Sequence, residues 1–111
     1  MPSPEDDEIN SYLDRIIEDT EKMQMKWDEA NPTTFVWSPP AKPGKIVLQR
    51  IAGETPTSPP SFVLRVLRGQ ADELAIGGAS TIYNSKLAVL FRVIRESIKR
   101  RGLDFLKSLL E

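Results

Sequence analysis

The amino-acid sequence predicts an α+β fold: a small domain in which a short β-hairpin packs on three or four helices, preceded by an acidic helical segment. Three features lead to this expectation: a helical apolar stripe near the N-terminus, two short β-branched stretches, and a basic helical segment near the C-terminus. The distribution of proline agrees with this expectation, because all nine prolines lie before residue 61 and leave the rest of the chain free to form helices.

The first element is an amphipathic helix predicted over residues 6–30. Ile9, Leu13 and Ile16 follow one another at steps of four and three residues, which is the helical period. Thr20 interrupts this stripe, and Asn31 ends the helix because a residue before proline is driven out of the helical region. Three interpretations stay open: a docking helix, a short oligomerisation helix, or a partly ordered linker.

Two short strands are predicted next, over residues 33–37 and 45–51. Both stretches are rich in β-branched, aromatic or other apolar residues, which favour extended structure. A proline-rich connection over residues 38–44 joins them and is long for a tight hairpin.

A short helix over residues 62–68 is predicted after a second proline-rich loop. Ser61 is a candidate N-cap, and Gly69 is a candidate stop. The apolar residues of this stretch also alternate with the period of a strand. Helix is preferred because Arg65 and Arg68, three residues apart, would share one face.

The clearest element is a helix over residues 86–101, with Asn84 or Ser85 as its N-cap. Gly102 is expected to end it, and residues 103–110 then form a last short helix that folds back on the core. The apolar stripe of the main helix consists of Leu87, Leu90, Phe91, Ile94 and Ile98.

The composition excludes several classes of function. The 111 residues include no cysteine and no histidine, so the chain has no disulfide, no structural zinc site and no histidine-based catalytic triad. No apolar run is long enough to span a bilayer. We therefore expect a soluble, intracellular, non-enzymatic protein with no cofactor and no metal.

The near-zero net charge hides a strong asymmetry along the chain. Residues 1–30 carry ten acidic and three basic residues, whereas residues 31–111 carry twelve basic and six acidic residues. A split of this kind is an argument about partners rather than about fold.

The predicted binding site is a basic face of the C-terminal helix. A cluster of cations attracts phosphates or acidic protein loops, although a solvated helix face is the alternative. No aromatic residue is placed among these cations as a stacking platform for bases would require. The predicted contacts are Lys86, Arg92, Arg95, Lys99 and Arg101.

Two glycines, Gly77 and Gly78, follow the apolar stretch that begins at residue 74. They lack the spaced glycines of a dinucleotide-binding loop and the Gly-Lys-Ser/Thr of a P-loop, so a tight turn is preferred. We expect this turn to lie beside the basic site.

The loop Pro40-Ala41-Lys42-Pro43 has the spacing of a polyproline ligand for SH3-type domains. It supports an alternative in which the protein is a cellular scaffold.

The order of several short motifs resembles the C-terminal domain of rhabdovirus phosphoproteins of the vesiculovirus type. The resemblance covers roughly residues 33–103, with extra residues between Trp37 and Gly77 and a longer C-terminal tail. The motifs are, in order, Trp37-Ser38, a loop with proline and lysine, Arg68-Gly69, Leu74-Ala75-Ile76-Gly77-Gly78, Ser85-Lys86, and Ala88-Val89-Leu90 leading into a basic helix.

The resemblance implies a polymerase cofactor with no catalysis of its own. Such a domain binds acidic loops of the viral nucleoprotein on RNA and so tethers the viral RNA-dependent RNA polymerase, through the full-length protein, to its template. Residues 31–111 would be this binding domain, and residues 1–30 would be the acidic linker or oligomerisation segment. The implied location is the host cytoplasm and the virion, with a homo-oligomer as one option and no membrane partner.

A second function stays open beside the scaffold. The same basic helix could bind RNA directly, as in a silencing suppressor, and such binding would depend strongly on salt.

Overall fold

The computed structural model of the protein describes residues 4–77 and 82–111. Its fold is α+β, but the predicted hairpin packed on three or four helices is wrong. Within the described ranges, two helices lie at either end of the chain and a five-stranded antiparallel sheet lies between them in sequence. The elements are α1 Pro4–Glu21, β1 Asp28–Asn31, β2 Thr34–Trp37, β3 Gly44–Ile51, β4 Ser61–Arg68, β5 Ala71–Gly77 and α2 Asn84–Leu110.

The sheet is a meander in which each strand pairs with the next in the order β1 to β5. The strands predicted over residues 33–37 and 45–51 are present as β2 and β3. The turn before β2 is held by Asn31, whose side-chain oxygen accepts hydrogen bonds from the backbone N–H and the hydroxyl of Thr33 at 3.0 and 2.9 Å. Gly69, with φ of 63°, makes the turn between β4 and β5.

The helix predicted over residues 62–68 is wrong, because this stretch is strand β4. Phe62 and Leu64 are buried, whereas Val63 and Arg65 lie on the opposite face. The period of two in the apolar residues was therefore the correct signal, and the spacing of the arginines was not.

The N-terminal helix ends nine residues earlier than predicted, at Glu21. Met23 has φ of 62°, so the chain reverses there and returns to the core. Met25 and Trp27 are buried on this return, and β1 follows.

The predicted stop at Gly102 and the separate folded-back helix are also wrong. α2 continues through Gly102 as one helix of 27 residues. Tyr83 precedes the helix, and its side chain makes no capping hydrogen bond. The side-chain oxygen of Asn84 instead accepts a hydrogen bond from the backbone N–H of Phe62 at 2.9 Å. Gly102 is tolerated because an isolated glycine in a helix costs only about 1 kcal/mol.

The core lies between the two helices and one face of the sheet. Four buried side chains form a row across β2 to β5 in direct register: Phe35, Leu48, Leu64 and Ile76. The ring of Phe91 on α2 lies 4.8 Å from that of Phe35 and 5.4 Å from that of Phe62, measured between centroids. Leu13 of α1 joins the same core, so the acidic segment folds with the rest of the chain.

The two helices run in the same direction side by side. Near their N-terminal ends the Tyr83 hydroxyl donates to Asp6, and farther along the Ser97 hydroxyl lies 3.3 Å from the sulfur of Met23. α1 carries eight acidic residues and one basic residue, whereas α2 carries seven basic and two acidic residues. Part of the charge asymmetry is therefore balanced within the molecule.

Candidate functional site

Three of the predicted contact residues lie together on the outer face of α2. Arg92, Arg95 and Lys99 are exposed, and their spacing of three and four residues places them on one side of the helix. We call these three residues the basic stripe; it extends for about 10 Å along the axis at 1.5 Å per residue. This side points away from the sheet, because Leu90 and Ile94 are fully buried on the opposite side.

The stripe is partly ordered by its own helix. The guanidinium carbon of Arg95 lies 5.0 Å from the centroid of the Phe91 ring, which is a cation–π distance. Among the ion pairs of the described ranges, none involves a residue of the stripe. Its cations are thus available to a partner.

The other two predicted contacts face inward. Lys86 forms an ion pair with Asp14 of α1, with 2.9 Å between Nζ and Oδ1. The guanidinium of Arg101 donates a hydrogen bond to the backbone carbonyl of Trp27. Both residues serve the fold, and the predicted site of five residues does not come together on one surface.

A shallow depression of about 520 Å³ adjoins the stripe between α2 and the end of α1. Its walls mix charges, with Lys99 and Arg100 beside Glu21 and Glu96. Arg100 also lies 3.8 Å from Asp104, measured between Nη1 and Oδ1. The surroundings of the stripe are therefore not uniformly positive.

Only one of the two glycines of the predicted turn lies within the described residues. Gly77 is the last residue of β5, opposite Val63, with φ of 136°, and Gly78 lies outside the described residues. A Cβ atom at Gly77 would lie 2.1 Å from the carbonyl oxygen of Phe62. The glycine is therefore required by close backbone packing within the sheet.

Sequence reasoning missed a second surface, an apolar groove of about 580 Å³ between α1 and the sheet. The sequence carried a signal for this groove, because each residue of its floor lies two positions along its strand from a residue of the buried row. The floor is a second row in register across β2 to β5: Trp37, Ile46, Val66 and Leu74. Ile9, Tyr12 and Ile16 of α1 form the wall.

The proline loop does not have the conformation that SH3-type domains bind. Ala41, in the middle of the motif, has φ of 63°. A polyproline II ligand needs φ of about −75°. As folded, the loop connects β2 to β3 over residues 38–43.

The described residues offer no metal site and no membrane span. They contain no group of three or more histidine, cysteine, aspartate or glutamate side chains that could hold a metal ion. Neither helix of these ranges combines the length and the apolar character that crossing a membrane requires.

Comparison with known proteins adds no constraint on the family. No family model matches the chain, and neither a curated protein nor a solved structure matches it. The assignment of function therefore depends on the geometry of the basic stripe.

Proposed function

We propose that the protein is a non-catalytic adaptor that docks an acidic segment of a partner protein on the basic stripe of α2. The observation that carries the proposal is the joint exposure of Arg92, Arg95 and Lys99 on the side of α2 that faces away from the sheet. Complementary charges at such a surface mainly speed association and select the partner.

The acidic helix α1 reaches only one end of this surface, where its residue Glu21 and Lys99 line the same depression. Elsewhere α1 contacts the start of α2 through Asp6 with Tyr83 and Asp14 with Lys86, on another side of α2. Arg92 and Arg95 lie outside this depression and are exposed to solvent, where an acidic partner would meet them.

A protein partner fits the stripe better than RNA does. Nucleic-acid binding commonly uses about six to ten phosphate contacts, whereas the stripe has three cations with Glu96 among them. The aromatic ring nearest to it, that of Phe91, is buried beneath Arg95 and cannot stack on a base.

The specific partner in this proposal is a viral nucleoprotein bound to RNA, as the resemblance to rhabdovirus phosphoproteins implies. Two arguments support this choice: the order of the shared motifs and the acidic loops that such a partner would offer to the stripe. The helical architecture that the resemblance also implied is not that of this chain, so the charge argument carries the greater weight.

The test is binding of the full chain to a rhabdoviral nucleoprotein–RNA complex over a range of salt, with the same RNA stripped of protein as the reference. The double variant Arg92→Glu with Lys99→Glu is expected to weaken binding at least tenfold. The matched control, Arg50→Glu with Arg65→Glu, makes the same change of net charge at exposed positions on the sheet. It is expected to change affinity less than twofold.

Three results would contradict the proposal. Equal losses in the two double variants would mean that only net charge matters. Binding of bare RNA as tight as binding of the complex would support direct RNA recognition. Failure of the wild-type chain to bind the complex would remove the nucleoprotein as its partner.

A further inference from the structure

The last third of α2 projects beyond the domain with its apolar side chains uncovered. The exposed fractions range from 44% for Leu103 to 79% for Leu110. We call residues 103–110 the apolar tail. Its exposed apolar side chains are Leu103, Phe105, Leu106, Leu109 and Leu110.

The apolar side of the tail is wide. At about 100° per residue, its five apolar side chains span roughly 160° of the helix circumference. The seam of a two-stranded coiled coil is narrower, whereas an arc above about 100° is typical of a helix that packs into a core. The tail therefore has the pattern of a helix that is covered on two sides.

The apolar groove offers two such sides. The floor row from Trp37 to Leu74 and the α1 wall at Ile9, Tyr12 and Ile16 meet along the flank of α1 that faces away from α2. Leu74 on this floor is 44% exposed although it lies on the same face of the sheet as the buried row. Within residues 4–77 and 82–111, no helix covers this part of the sheet beside α1.

The groove is long enough to hold the tail. The wall residues of α1 extend from Ile9 to Asp19, which is about 15 Å along a helix axis at 1.5 Å per residue. The tail, from Leu103 to Leu110, extends about 10 Å by the same measure.

We propose that the apolar tail of one copy of this chain occupies the apolar groove of a second copy, reciprocally, in a two-fold dimer. The tail cannot reach the groove of its own chain, because α2 is one unbroken helix and α1 lies between. A stable interface needs about 800 Å² from each partner. A chain that both inserts a tail and receives one contributes two apolar patches toward this area.

The first test is the oligomeric state of the full chain by sedimentation equilibrium. The wild-type protein is expected to be a dimer, and the tail variant Leu106→Glu with Leu110→Glu a monomer. The groove variant Leu74→Glu is also expected to be a monomer. Its control, Ile51→Glu, changes a strand residue with 43% exposure outside the groove and should remain a dimer.

Mixing the two monomeric variants gives the sharpest result. The tail variant keeps an intact groove and the groove variant keeps an intact tail, so a one-to-one mixture is expected to form heterodimers. Because the natural chain has no cysteine, Leu106→Cys in one chain and Leu74→Cys in the other should form an intermolecular disulfide under oxidation.

Three results would overturn the proposal. A wild-type chain that stays monomeric at a concentration of roughly 100 μM has no such dimer. A groove variant that stays dimeric while the tail variant is monomeric would mean that tails pair with each other. A dimer in which the two cysteines do not cross-link would place the tail elsewhere.

Discussion

The indole Nε1 of Trp27 donates a hydrogen bond to the hydroxyl oxygen of Thr20 at 3.0 Å, and neither residue is exposed to solvent. The hydroxyl in turn donates to the backbone carbonyl of Ile16 at 2.8 Å. This pair joins the end of α1 to the segment that leads into β1. It fixes the reversal of the chain on which the position of the sheet depends.

Replacing Thr20 with valine should destabilise the fold, because the buried indole N–H would lose its acceptor. An unsatisfied buried donor costs about 1–3 kcal/mol of unfolding free energy. The midpoint of urea unfolding measures this loss, and Thr20→Ser, which keeps the hydroxyl, should retain most of the stability. Equal losses in both variants would mean that the methyl group, not the hydrogen bond, matters.

Thr20 also illustrates how far the sequence predicts this fold. A threonine in an apolar stripe looks like an interruption, because its hydrogen-bond partner seven residues later cannot be read from helical spacing. The strands β2 and β3 were predictable, since local β-propensity and long-range pairing agree there. In β4 two patterns conflicted: the spacing of Arg65 and Arg68 favoured a helix, and the alternation of apolar residues favoured a strand. The segment is a strand because it pairs with both β3 and β5.

The candidate site was predictable in part for a similar reason. Charge and helical spacing identify the face that carries Arg92, Arg95 and Lys99. They do not reveal that Lys86 and Arg101 face inward, because their partners Asp14 and Trp27 lie more than 70 residues away in sequence. The apolar groove was missed because its floor joins residues from four strands, and the sequence alone does not give the register in which those strands pair.

Reversing the charge of Lys86 should affect stability rather than partner binding. Lys86→Glu would place a carboxylate beside Asp14, and the loss of a partly exposed ion pair is worth up to about 1 kcal/mol. The exchange Lys86→Asp with Asp14→Lys should recover part of the loss, as urea unfolding can measure. A tenfold loss of partner affinity in folded Lys86→Glu would return this residue to the binding site.

The stability of the protein should fall at high pH because of Tyr83. Its hydrogen bond to Asp6, together with burial and the nearby negative charges, raises the pKa of Tyr83 from 10.0 to about 12. The folded chain therefore retains a proton that the unfolded chain loses, so the stabilisation is complete below about pH 10 and disappears as pH rises toward about 12. Urea unfolding at several pH values measures this slope.

The matched comparison is between the two tyrosines of the chain, Tyr12 and Tyr83. Tyr83→Phe should remove the additional loss of stability between about pH 10 and 12, whereas Tyr12→Phe should leave it in place. The same slope in wild type and Tyr83→Phe would show that other groups cause the loss at high pH.

Two glycines should respond to alanine in opposite directions. Gly102 lies inside α2, and no atom of the described residues beyond its chain neighbours and its own helix backbone lies within 4 Å of an added Cβ atom. Gly102→Ala should therefore stabilise the protein by about 0.5–1 kcal/mol through helix propensity.

At Gly77 the added Cβ atom would lie 2.9 Å from the Cα atom of Val63 on a backbone with φ of 136°. Gly77→Ala should consequently cost about 1–3 kcal/mol or more. Urea unfolding of the two variants beside the wild type measures both changes, and a destabilised Gly102→Ala would mean that the helix must bend at this glycine.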